Sequence, residues 1–188
     1  MRALFNGKSI KVLTVAGMCL GLATACQTTN TWNPTKETVD VSETKFDMEL
    51  TSFKIKSANK MTEASSYLES VDFQGGYVYR YVYQRGFVIN STEADLRKSV
   101  TRTFKKQDVP EPYTVKHATI PLGNIIYAVL DNTKQTCFHF KGYSGHTQMI
   151  RGQMASDSTS GGLYCEPGHV SDMEQIGLSE FGKVSIIQ

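Results

Sequence analysis

Apolar and polar residues alternate with a period of two over much of this chain, and in two places the period lengthens to that of a helix. The run YVYRYVY places Tyr77, Tyr79, Tyr81 and Tyr83 at every second position, with Val78, Arg80 and Val82 between them. Successive side chains of a strand point to opposite faces, so the four tyrosines share one face. Gly86 then predicts a turn into FVI and a hairpin. KFDMELTSFKIKS carries Met48, Leu50, Phe53 and Ile55, a strand pattern with one slip that suggests a bulge. In NKMTEASSYLESV, Met61, Ala64 and Leu68 fit one face of a short helix. The longer helical signal is STEADLRKSVTRTFKKQDVP, with Leu96, Val100 and Phe104 as its buried stripe. Thr92 and Asp95 form its capping box, and Pro110 and Pro112 stop it.

Three strand-like runs follow: YTVKHATI, NIIYAVLDN and TCFHFKGYS, with Gly142, Ser144 and Gly145 read as turn residues that end the third. SDSTSGG reads as an exposed polar loop, GGLYCEPG as a strand, and SDMEQIGLSEF as a closing helix capped by Ser171 and Glu174. The pattern predicts an α+β fold over residues 45–188: one domain, a mostly antiparallel sheet, two main helices and one disulfide.

The first 25 residues follow a different rule. Arg2, Lys8 and Lys11, with no acid, precede an apolar run of 14 residues that ends in small side chains. That is the pattern of a secretory signal, and the run is shorter than the roughly 18 residues of a spanning helix. It ends in LATAC, which resembles the lipobox of bacterial lipoproteins. The resemblance makes Ala23, Thr24 and Ala25 the small residues and Cys26 the lipidated acceptor, with Ala23 where the family more often has leucine. The same letters fit the A-x-A rule of ordinary signal peptidase, which would leave a soluble periplasmic protein with Cys26 unmodified. Gln27 stands where such lipoproteins carry an inner-membrane retention aspartate, so the resemblance implies the outer membrane, periplasmic face. Residues 26–44, rich in Thr and Asn, read as a polar tether.

The signal changes the charge reading. Of 20 basic residues three lie in residues 1–25, and of 18 acidic residues none, so the remainder carries 17 basic and 18 acidic groups. Nothing in that balance points to nucleic acid. It also changes the cysteine reading. With Cys19 removed and Cys26 acylated, Cys137 and Cys165 remain, and an even pair in an exported chain reads as a disulfide. The loop it closes corresponds to about 3–4 kcal/mol of chain entropy.

Cys137, His139, His146, Cys165 and His169 match no standard zinc spacing, so no metal and no cofactor is expected. Ser144 in GYSGH lacks the last glycine of a nucleophile elbow, and no catalytic residue is assigned. The Asn90 sequon is read as empty in a bacterial lipoprotein. The tyrosine row has two readings: packing, under a helix such as the Leu96, Val100 and Phe104 stripe, or a binding face for glycans or peptides. The basic face of residues 93–106 is read as solvated, with anionic lipid headgroups as the alternative partner.

The stretch from CFHF to GLYCEPGHVSDMEQI resembles a C-terminal module of small uncharacterised exported bacterial proteins. Its matching residues here are Cys137, Phe138, Phe140, Tyr164, Cys165, Pro167 and Gly168. The resemblance implies architecture and no activity. The reading is a non-catalytic, lipid-anchored envelope protein that binds another envelope component. The alternative is a cell-wall or glycan ligand-binding protein or hydrolase, with the tyrosine row and Arg80 lining a cleft. The disulfide makes a direct prediction: the mature protein, denatured without reductant, will show no titratable thiol, and two free thiols would refute the pairing.

Overall fold

A computed structural model describes residues 36–104 and 112–187. The proposed signal, Cys26 and the first part of the tether lie outside the described residues. The later part of the tether does not: Lys36–Val39 is strand β1, and Val41–Glu43 is a 3-10 turn capped by Asp40. Lys36–Val39 is therefore part of the sheet despite its polar composition, because backbone pairing with a neighbouring strand needs no apolar side chains.

Among the described residues the fold is an open, mostly antiparallel sheet with two helices and one disulfide. Strands β3 (Ile55–Glu63), β4 (Ser66–Phe73) and β5 (Gly76–Tyr83) form one meander. Strands β7 (Lys116–Ile120), β8 (Gly123–Asp131), β9 (Gln135–Ile150) and β10 (Gln153–Pro167) form a second. The two join through β5 and β10, giving the order β1-β3-β4-β5-β10-β9-β8-β7. Strand β6 (Val88–Ile89) also pairs with β10, where it continues the line of β5. The expected hairpin at Gly86 is therefore absent; residues 84–87 are a detour between two segments on the same neighbour. A small second sheet joins β2 (Phe46–Asp47) to β11 (Ser185–Ile186).

One face carries α1 (Glu93–Thr103) with its Thr92 and Asp95 capping box, as the sequence predicts. Leu96, Val100 and Phe104 pack on Ile126, Ala128, Leu130 and Cys137. The other face carries α2 (Met173–Phe181), with Met173 and Phe181 set among Val78, Phe138 and Phe140. Contrary to expectation, Ser171 and Glu174 do not cap α2. Its N-cap is Asp172, with no side-chain bond, and Glu174 is drawn instead to Tyr127 and Lys116.

Three further corrections have physical causes. The helix expected around Met61, Ala64 and Leu68 is the β3–β4 hairpin. Met61 and Leu68 face each other across it and Ala64 sits in its turn, which mimics helical spacing. The SDSTSGG run is no loop but the middle of β10, the strand that joins the meanders. Ser156, Ser158 and Ser160 are buried on one face, bonded to Asn90, Arg80 and the Leu122 carbonyl. Gly161 and Gly162 leave room for large neighbours: a Cβ at Gly161 would lie 2.5 Å from the Tyr79 ring, and one at Gly162 2.4 Å from Phe140. Finally, GYSGH does not end its strand. β9 runs on to Ile150, and the Gly145–His146 step is a bulge whose extra residue is held by Asp157, bonded to the His146 N–H at 3.1 Å.

Cys137 and Cys165 are direct cross-strand partners on β9 and β10, and they form the disulfide, with Cα atoms 4.0 Å apart. The Cys165 N–H donates to Gly75, away from β9, so the cysteines occupy a non-hydrogen-bonded position, where side chains come closest. The β9–β10 hairpin closes through Arg151 and Gly152, with φ 51° and 81°. Two consecutive left-handed residues are the mark of a type I′ turn, which favours Asn followed by Gly. Arg151→Asn is expected to raise stability by about 0.5–1 kcal/mol; chemical denaturation, with an unchanged slope, measures it.

Candidate functional site

The tyrosine row lies on the α1 face of β5. Across the sheet Tyr77 pairs with Asp72 and Leu163, Tyr79 with Ser70 and Gly161, Tyr81 with Leu68 and Thr159, and Tyr83 with Ser66. The helix does not cover the row, because its apolar stripe sits on β8 and β9 instead. The expected packing beneath Leu96, Val100 and Phe104 is thus replaced by packing beside the helix, and all four tyrosines are half-buried. Tyr77 hydrogen-bonds Thr103 at the end of α1, and burial pushes its hydroxyl pKa up. The Tyr79 ring crosses Gly161, and burial pushes its pKa up to about 12. The rings of Tyr77 and Tyr79 stack at 6.4 Å, and those of Tyr81 and Tyr83 meet at 4.7 Å.

Tyr81 closes a hydroxyl–carboxylate triangle at the β3–β4 turn. Its hydroxyl and that of Ser66 each donate to Glu63 Oε2 at 2.6 Å. The Ser66 bond first, then the Tyr81 bond, holds the Glu63 carboxyl below its usual range. The Tyr83 hydroxyl has no hydrogen-bond partner among the described residues. Beyond the row, β3 and β4 show hydroxyl, amide and carboxylate groups on the same face. Asp72 accepts from Ser57 at 3.2 Å and from Asn59 at 3.4 Å, and Thr38 donates to Asn59 at 3.3 Å. The result is an aromatic row beside a parallel polar row, a surface suited to a ligand with both apolar faces and hydroxyl or amide groups.

Arg80 is not part of it. Strand alternation sends it to the opposite face, where its Nε donates to Ser158 at 3.1 Å. Among the described residues Arg80 and the tyrosines lie on opposite faces of the sheet.

The histidines are scattered. His146 stands at the β9 bulge with Asp157, His169 pairs with Asp131, and His139 lies under α1. No group of three or more His, Cys, Asp or Glu side chains suited to a metal ion occurs among the described residues. Ser144 pairs in register with Ser158 inside the sheet. Asn90, the sequon residue, is buried and accepts from Ser156 at 2.7 Å, which withdraws it from modification in the folded chain.

Sequence reasoning missed His139 as more than a metal candidate. It is 2% exposed; Nδ1 lies 2.9 Å from the Gly162 carbonyl and Nε2 3.0 Å from Ser99 Oγ. A carbonyl only accepts, so Nδ1 carries the proton and neutral Nε2 accepts from the Ser99 hydroxyl. The arrangement resembles a nucleophile and base, but Ser99 lies in the interior of α1, where backbone N–H groups are taken up by the helix and none is left to stabilise an oxyanion. The pair ties helix to sheet. Nearby Lys141 is half-buried, and desolvation pulls its ammonium pKa down.

Two of the concavities formed by the described residues lie elsewhere. One, of about 640 Å³, is a notch at the sheet end lined by Phe53, Tyr164, Leu163, Lys54 and Glu166. The other, of about 370 Å³, includes Lys116, Tyr127 and Glu174, where Glu174 accepts from Tyr127 at 2.8 Å and from Lys116 at 2.5 Å. No helix among the described residues is long and apolar enough to cross a membrane. No family model, curated protein or solved structure matches this chain.

Burial pulls the His139 pKa down from 6.5 to about 4. Between those values the unfolded chain binds a proton that the folded chain refuses, so stability is complete above about pH 6.5 and falls on acidification. The expected loss is about 2 kcal/mol between pH 8 and pH 5, before most carboxylates titrate. His139→Gln should flatten that slope in denaturation curves taken across the same range. An unchanged slope would remove His139 as the cause.

Proposed function

We propose that this chain is a lipid-anchored bacterial envelope protein, held by an acylated Cys26 at the periplasmic face of the outer membrane. Its role is non-catalytic: it binds another envelope component through the α1-side face of β5, β4 and β3. The observation that carries the reading is the tyrosine row, which no helix covers among the described residues and which borders a row of hydrogen-bonding side chains. The LATAC sequence supports the anchor, and the Cys137–Cys165 disulfide is consistent with a compartment outside the cytoplasm.

A second reading, binding of cell-wall or other glycan, draws on the same face. Stacked tyrosines beside Ser57 and Ser70 offer sugar rings an apolar platform and hydroxyl partners. Its hydrolase form has less support, because His139 is sealed under α1 and Ser99 has no oxyanion site beside it.

Affinity purification from native membranes, with mass spectrometry of the N-terminus, tests both parts. A diacylated or triacylated Cys26 is expected, and an unmodified Cys26 would refute the anchor. The paired change Tyr81→Ala and Tyr83→Ala should reduce recovery of the bound component about tenfold. Arg80→Ala, on the other face, should leave it unchanged. Equal recovery from all variants would refute the tyrosine face as the site. Recovery on insoluble cell-wall glycan, without a protein partner, would select the second reading.

A further inference from the structure

The β9–β10 hairpin outgrows the sheet. The pairing of β8 with β9 ends at Asn124 and Tyr143, and no described residue pairs with the outer edge of β9 beyond that point. Residues 145–149 are exposed, so this part is an arm two strands wide, flanked on the β10 side by the short β6.

Its edge differs from the other two. Edge strands invite pairing with other chains, and proteins blunt them with charge or shortness. β1 has four residues, including Lys36 and Glu37; β7 has five, including Lys116 and His117. From Gly142 to Ile150 the arm has no Lys, Arg, Asp, Glu or Pro. It also shows Met149 and Met154, cross-strand partners 62% and 46% exposed, with Ile89 and Phe87 exposed close by. Four of the seven large exposed hydrophobic residues among the described residues thus gather in this region.

We propose that the arm is the interface between two copies of this chain, paired edge to edge and antiparallel about a two-fold axis at Gln148. Hydrogen-bonding direction alternates along a strand. Ile150 closes the two-residue turn against Gln153, and the His146 N–H points toward Asp157 on β10, so the even-numbered residues face inward. The N–H and C=O groups of Thr147 and Met149 therefore face outward. A two-fold axis at Gln148 sets Thr147 of one copy opposite Met149 of the other, and the four groups on each side meet as donor and acceptor. The same register brings Arg151 opposite Gly145 of the second copy. Gly145 abuts Asp157 closely enough that a Cβ there would lie 1.9 Å from its Oδ1. The guanidinium of one chain thus approaches the partner's Asp157 carboxylate, while the uncharged edges bring no like charges together. An isologous contact of this kind closes on itself and does not propagate.

Cysteine cross-linking in cells that export the whole chain tests the register. At a non-hydrogen-bonded antiparallel position Cα atoms lie about 4.5 Å apart, within disulfide range. Gln148→Cys should give a dimer band on non-reducing gels, and Thr119→Cys, on the β7 edge, should not. Sedimentation of the purified full chain should show one chain becoming two between about 5 and 200 µM, the range of a small interface. Gln148→Lys, which sets two ammonium groups face to face, should weaken association about fivefold or more with thermal unfolding unchanged. Absence of the Gln148→Cys dimer, or a single-chain mass at about 200 µM, would overturn the proposal. A cross-linked band of another mass would assign the edge to a foreign strand and overturn self-pairing as well.

Discussion

The pairing of β5 with β10 holds this architecture together. Each meander is a set of hairpins whose partners are close in sequence, and either alone would leave an open edge. β10 supplies the missing partner to β5 through seven residue pairs, Ser158 to Tyr164, while its other side is zipped to β9 along nearly its whole length. A strand flanked on both sides must fit beneath the side chains of both neighbours. Small residues make that possible here: Tyr79 crosses Gly161 on one face, and Phe140 occupies the space over Gly162 on the other. The buried serines keep their hydroxyls bonded, so polarity at the centre of the sheet costs little.

That constraint explains why parts of the fold were legible in sequence and others were not. Alternation identified β5, because Tyr recurs at every second position from Tyr77 to Tyr83. The cap and stripe of α1 were equally plain, since Thr92, Asp95, Leu96 and Val100 act within one helix. Where a residue's role is set by a distant neighbour, local pattern misled. SDSTSGG has loop composition because its partners are bulky, and Met61, Ala64 and Leu68 mimic a helix because a hairpin folds them together. Glu174 fits a capping box by spacing, but Lys116 and Tyr127, brought near by β7 and β8, outcompete the helix end for its carboxylate.

The candidate site was read in the same uneven way. That four tyrosines share a face follows from the strand period alone. Which side of them the helix occupies does not, and neither does the polar row on β3 and β4, which depends on strand order. Arg80 was grouped with the tyrosines by sequence adjacency and removed by the same alternation that aligned them. His139 gave no local signal, since its partners, Ser99 and the Gly162 carbonyl, come from a helix and a strand far along the chain.

The distance in sequence between β5 and β10 has a kinetic meaning. Residues 153–167 are made some eighty residues after β5, their partner. The first meander therefore waits with one edge open while the residues between β5 and β10 are synthesised. Non-local pairing of this kind slows folding and prolongs the exposure of aggregation-prone edges. A chain cut before residue 153 would lose the seam between two unfinished sheets and one cysteine of the disulfide, so it is a substrate for proteases and not a smaller version of the fold.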